Sequence, residues 1–175
     1  IPEFFGLYGV QRLPFFWEPF NSPIFTLIAI WLIPALVSGV LGFLVFRNRI
    51  KGVYFSILTQ AALLVFFNLF NGQQKLINGT NGLKTDVTLL FGQMVGSDSI
   101  QKWFFWLSAL LVIAAWFIAK WIVHDRFGNV LIGIRDDEAR IRFTGFNPTI
   151  YKTIIFSIAG GFAGISGALY TVQSG

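Results

Sequence analysis

Apolar residues in this chain fall into four long runs separated by stretches that hold most of the charge. The first, Ile24 to Phe46, carries no charge and is long enough, at ~1.5 Å per residue, to cross a ~30 Å hydrocarbon core. Pro34 lies inside it. In a bilayer a neighbouring helix can satisfy the carbonyl that a proline leaves free, so the pattern predicts a kink and not a break. The second run, Val53 to Phe70, is also uncharged but contains Thr59, Gln60 and Asn68, with Asn71 just beyond. Trp103 to Val123 is interrupted only by Lys120, which lies near one end where its stem can reach the headgroups. Trp103 and Trp106 at one end and Trp116 and Trp121 towards the other resemble the aromatic belts of a spanning helix. Thr153 to Val172 is uncharged and rich in Gly, Ala and Ser. The predicted fold class is therefore all-α: a polytopic transmembrane helical bundle with about four spans.

Composition agrees with this reading. Of the 175 residues 55% are hydrophobic and 12% charged, where a soluble domain carries roughly a quarter charged. An ordinary cytosolic enzyme is excluded, and a disordered chain even more firmly. With no cysteine and a single histidine, His124, neither a disulfide framework nor a Cys/His zinc site can be built. Both ends look cut, so residues 1–175 read as one transmembrane domain from a longer membrane protein, incomplete at each end.

Orientation follows from the basic residues. Arg47, Arg49 and Lys51 lie between the first two runs, and Arg126, Arg135, Arg140, Arg142 and Lys152 between the last two. Both loops fall on one side if every run crosses, and the positive-inside rule makes that side cytoplasmic. Topology thus explains most of the net charge of +5, and nucleic acid need not be invoked. On the opposite side Asn78-Gly-Thr-Asn-Gly82 predicts an outer turn, and its first three residues also fit the N-glycosylation pattern.

Three groups of residues could carry function. Thr59, Gln60 and Asn68 are hydrogen-bonding groups inside a span, where an unpaired amide is expensive. They read either as interhelical ties worth on the order of 1 kcal/mol each or as the wall of a path for a neutral polar solute. Gly160, Gly161, Gly164 and Gly167, together with Ser157 and Ala163, give the repeated small-xxx-small spacing, including Gly160-xxx-Gly164 and Ala163-xxx-Gly167, that lets helix backbones approach closely. They lack the lysine ending of a phosphate loop. The third group lies in the long loop 124–152, where Leu131, Ile134 and Ile141 could share one helical face. Asp136, Asp137 and Glu138 suit the first turn of that helix and Arg140 and Arg142 its later part, with Gly145 and Pro148 as stops. Such a short amphipathic helix is either a membrane-surface element or a docking surface for a partner.

Gly128-Asn-Val-Leu-Ile-Gly-Ile-Arg-Asp-Asp-Glu-Ala-Arg-Ile-Arg-Phe-Thr-Gly145, followed by Tyr151-Lys152 and Phe162-Ala-Gly-Ile-Ser-Gly-Ala-Leu-Tyr170, resembles the permease subunits of the branched-chain amino-acid family of ABC importers. The run Arg47 to Gln60 and the turn Asn78 to Leu83 resemble the same family, so the likeness extends from about residue 40 to the end. Arg135 to Gly145 and Asn78 to Gly82 look most like its urea-transport branch. The resemblance implies a multi-pass subunit of the bacterial inner membrane that is not itself an enzyme. It implies a second permease, cytoplasmic ATPase subunits and an extracytoplasmic solute-binding protein as partners, with membrane lipid around it. ATP and magnesium would be bound by the ATPase subunits and no cofactor by this chain. The family's coupling helix falls on Arg135, Asp136, Asp137, Glu138, Ala139, Arg140 and Gly145, with Glu138, Ala139 and Gly145 matching the Glu-Ala...Gly core. Here Arg140 replaces a second Ala and one extra residue precedes the glycine. The expected cargo is urea or a short amide, because the first, second and fourth spans offer no charge for a zwitterion. A branched-chain amino-acid importer is the alternative, and a passive channel the alternative of a different class.

Overall fold

The computed structural model describes residues 18–50, 52–72, 89–90, 93–94 and 98–174. A 3-10 turn, Glu18–Asn21, leads into α1 (Pro23–Arg47), which is followed by α2 (Val53–Gly72). A two-residue antiparallel pair follows, β1 (Leu89–Leu90) against β2 (Gln93–Met94). Then come α3 (Asp98–His124), α4 (Arg126–Asp136), α5 (Glu138–Phe143) and α6 (Pro148–Ser174). Apart from the small β-pair the described chain is helical. Among the described residues, α1, α2, α3 and α6 are long and apolar enough to cross a membrane. The outer turn at 78–82 lies outside the described residues.

Local chemistry explains the helix boundaries. Ser22 precedes Pro23 at the first position of α1, where the missing N–H costs nothing. At its far end the Arg49 N–H donates to the Phe46 carbonyl (3.1 Å) and the Ile50 N–H to the Val45 carbonyl (3.4 Å). This is the Schellman pattern, with Arg49 at φ 58° in the position that glycine usually takes. α1 runs unbroken through Pro34. The freed carbonyl of Ile30 faces Gly164 of α6, so close that a Cβ there would lie 2.5 Å from it.

α1 and α6 form the main helix pair, and of the buried apolar residues Ala29, Ala35 and Val45 lie on α1 and Ile134 on α4. Small residues on both helices make the pair close. A side chain at Gly160 would collide with Ser38, one at Gly161 would come within 2.5 Å of the Trp31 indole nitrogen, and one at Gly42 within 2.8 Å of the Phe156 ring. Gly167 has open space instead, so of the four glycines singled out in α6 only Gly160, Gly161 and Gly164 lie against α1. The hydroxyl of Ser157 donates to the Ala35 carbonyl across the interface (2.6 Å).

α2 differs sharply. None of its residues is buried, although the Phe55 ring at its start stacks on Phe46 (5.3 Å) and meets Phe156 edge-on (5.7 Å). α3 exposes Trp103, Trp106, Trp116 and Trp121 towards its two ends, and Lys120 holds its ammonium 5.0 Å from the Trp116 ring centre. An exposed indole beside a lysine is the arrangement expected where a spanning helix meets the headgroups.

Candidate functional site: the helical loop before the last span

The loop expected to hold one amphipathic helix holds two. α4 ends at Asp136, and Asp137 takes an extended conformation (φ −152°, ψ 97°) in which its carboxylate accepts from the N–H groups of Ala139 (3.0 Å) and Arg140 (3.1 Å). Aspartate caps a helix N-terminus more readily than it continues a helix, so α5 starts at Glu138. Leu131 and Ile134 therefore lie on a different helix from Ile141. Gly133 brings the two helices together: a Cβ there would lie 2.6 Å from the Ile141 Cδ1. Gly128 likewise lies against the last turn of α3, where any side chain would run into the Val123 backbone.

Gly145 ends α5 as expected, at φ 91° and with its N–H donating to the Arg142 carbonyl (3.1 Å). Pro148 is not a stop. It is fully buried and opens α6, with the Asn147 side-chain oxygen accepting from the Thr149 N–H (3.1 Å). Asparagine followed by proline is a helix start as much as a helix end.

Charges sort α5 into two faces. Glu138, with its side chain 11% exposed, accepts from Arg142 Nη2 (3.1 Å) and from Lys152 Nζ of α6 (2.7 Å). On the other side Arg140 has its side chain 82% exposed and Phe143 is 92% exposed. Ala139 and Gly145 are exposed as well. Arg135 pairs with Asp136 (3.1 Å) and Arg140 with Asp137 (3.7 Å), both exposed pairs of the kind that adds little to stability. The docking residues expected from the sequence thus divide: Arg135, Asp136, Asp137, Ala139, Arg140 and Gly145 lie outward, and Glu138 is turned in.

Phe143 was missed by sequence reading. The signal was available: with Ile141 on the inner face, a phenylalanine two positions on in a six-residue helix falls on the outer one.

The site is joined to the spans through the basic end of α1. The Thr149 hydroxyl lies 3.5 Å from the Phe46 carbonyl, and the Lys152 ammonium is 5.9 Å from the centre of the Phe46 ring. An open cleft of about 730 Å³ lies between these elements, lined by Phe46, Ile50, Phe55, Ile134, Glu138 and Lys152 among others. Both basic loops therefore meet at one end of the bundle, as the charge distribution requires.

The polar residues of α2 do not converge. At ~100° per residue Thr59 and Asn68 lie on opposite sides of the helix, while Gln60 and Asn68 are within ~80° of each other. Thr59 is half-buried and donates to the Phe55 and Ser56 carbonyls of its own helix (both 3.0 Å). Gln60 and Asn68 are exposed on the other side.

Residues 5–175 match the family described as the permease component of branched-chain amino acid transport systems. The chain belongs to this permease family. Among the curated proteins it is similar to the ribose import permease protein RbsC of Escherichia coli K12, and equally to those of strains O6:H1 and O157:H7. The identity is 24% over 139 residues, which make up 77% of this chain and 40% of the relative. The permease chain thus spans less than half the length of the curated relatives it matches. No solved structure is significantly similar to it. Family membership and four apolar helices of spanning length identify this permease as a multi-pass protein of the inner membrane.

Proposed function

We propose that this permease is the membrane subunit of an ATP-driven importer for a small, neutral, hydrogen-bonding solute, with urea or a short amide as the preferred cargo. The observation that carries the coupling part is the two-faced α5, anchored inward by Glu138 and presenting Arg140 and Phe143 outward. An exposed phenylalanine beside an arginine on a short rigid helix is the kind of anchor that buries well in a partner's pocket. The partner in this reading is a cytoplasmic ATPase subunit, and a second permease and an extracytoplasmic solute-binding protein complete the assembly. Hydrolysis of ATP belongs to the ATPase, and this chain conducts.

For the cargo, the support is that the amides of Gln60 and Asn68 share one side of a span that carries no charge. An amide both donates and accepts, which suits urea and leaves a zwitterion's carboxylate without a counter-charge. The ribose permease among the relatives favours a second reading, a sugar, which is also neutral and rich in hydrogen-bonding groups. A branched-chain amino acid is the reading this wall suits least.

Uptake of radiolabelled urea, ribose and leucine in a strain deleted for the full-length gene tests the proposal. Loss of urea uptake with the other two unchanged is expected. Loss of leucine uptake alone would overturn the neutral-solute reading.

A further inference from the structure

We infer that the Glu138–Lys152 ion pair is the strut that makes α5 and α6 move as one body, so that Glu138 is a positioning residue and not a contact to the partner. This rests on the reading of α5 as a docking helix. Without the ion pair, α5 would be joined directly to α6 by the turn from Phe143 to Pro148, its other attachment being to α4 through Asp137 and the packing of Ile141 on Gly133. That turn contains Gly145 at φ 91°, a backbone conformation with little resistance to rotation. Glu138 lies at the opposite end of α5 from this turn. Its 2.7 Å bond to Lys152 therefore ties the α4-linked end of α5 directly to α6 as well, so both ends of the short helix are fastened to α6.

The pair is built for this use. Side-chain exposures of 11% and 26% keep water largely away from the two charges, and Arg142 donates to the other carboxylate oxygen at 3.1 Å, so the carboxylate is held from two sides in one orientation. Lys152 also faces the Phe46 ring, and the Thr149 hydroxyl lies 3.5 Å from the Phe46 carbonyl. Beyond the first turns of α6, the small-residue interface from Phe156 to Gly164 continues the connection into α1. A displacement at α5 is thereby transmitted to α6 and α1 together.

The absence of cysteine over these residues allows spin labels at Thr144→Cys on the loop and Ile154→Cys on α6 in the assembled transporter. Their separation is measured by pulsed electron resonance with and without ATP, and ATPase co-purification is measured alongside. In the wild-type background the separation stays constant on ATP addition. Glu138→Gln and Lys152→Gln should each keep the ATPase bound but let the separation shift or broaden, and Lys152→Arg, which keeps the charge, should preserve constancy. Lys152→Gln leaves α5 itself untouched, so it answers even if Glu138→Gln does not accumulate. Constant separation in both single variants, or loss of ATPase binding in Glu138→Gln alone, overturns the strut. Failure of the wild-type complex to hold any ATPase would instead overturn the docking reading beneath it.

Discussion

The α1–α6 pair and α2 are made from similarly apolar sequence, yet the first is a close helix–helix interface and the second has no buried residue. Hydrophobicity cannot account for the difference, because in a bilayer lipid tails satisfy leucine as well as another helix does. Backbone access does. α1 offers Ala35, Ser38, Gly39 and Gly42, and α6 offers Ser157, Gly160, Gly161 and Gly164, so the two backbones approach closely enough for a serine to reach across to a carbonyl. The middle of α2 presents mostly Leu, Phe, Val and Ile, with Ala61 and Ala62 as its small residues and Ser56 and Gly72 near its ends.

The largest effect should come from filling the close interface. Gly164→Leu would press against both the Pro34 ring and the Ile30 carbonyl, and should lower the stability of the detergent-solubilised subunit by about 3 kcal/mol, the upper end of ordinary overpacking. Gly167→Leu, in open space on the same helix, should stay within about 0.5 kcal/mol of wild type. Equal losses from the two would break the comparison. Ser157→Ala should cost about 0.6 kcal/mol, the average for a hydrogen bond between membrane helices, read as a shift in the midpoint of a denaturant titration. The smallest change belongs to α2. Leu63→Ala there should cost less than about 0.5 kcal/mol, because the side chain is exposed. A loss as large as that of Gly164→Leu would mean that protein outside this chain packs on α2.

The spans were legible from sequence because about twenty predominantly apolar residues in a row have few other structures open to them. The boundaries were less so. α6 begins at Pro148 and not at Thr153 because Asn147 and Pro148 start a helix by capping and fixed φ, signals that apolar periodicity does not register. The loop helix was expected whole because 131, 134 and 141 have helical spacing. A single capping aspartate, Asp137, divides it, and local capping outweighed a pattern of three residues. At the site, residue type pointed to the right segment but not to the direction of each side chain. Glu138 and Arg140 both read as docking charges, and only the position of Lys152 on the next helix separates the one that holds the loop from the one that faces outward. In α2, composition suggested three cooperating polar residues, and the helical turn puts Thr59 on the wrong side to join Asn68.

The proposed docking face is tested most directly by placing single cysteines along α5 in the full-length subunit, attaching a photoactivatable cross-linker, and illuminating the assembled transporter. Arg140→Cys and Phe143→Cys, on the outer face, should yield an adduct with the ATPase subunit, whereas Ile141→Cys, packed against Gly133, should yield none. An adduct from Ile141→Cys with none from Phe143→Cys would contradict the account.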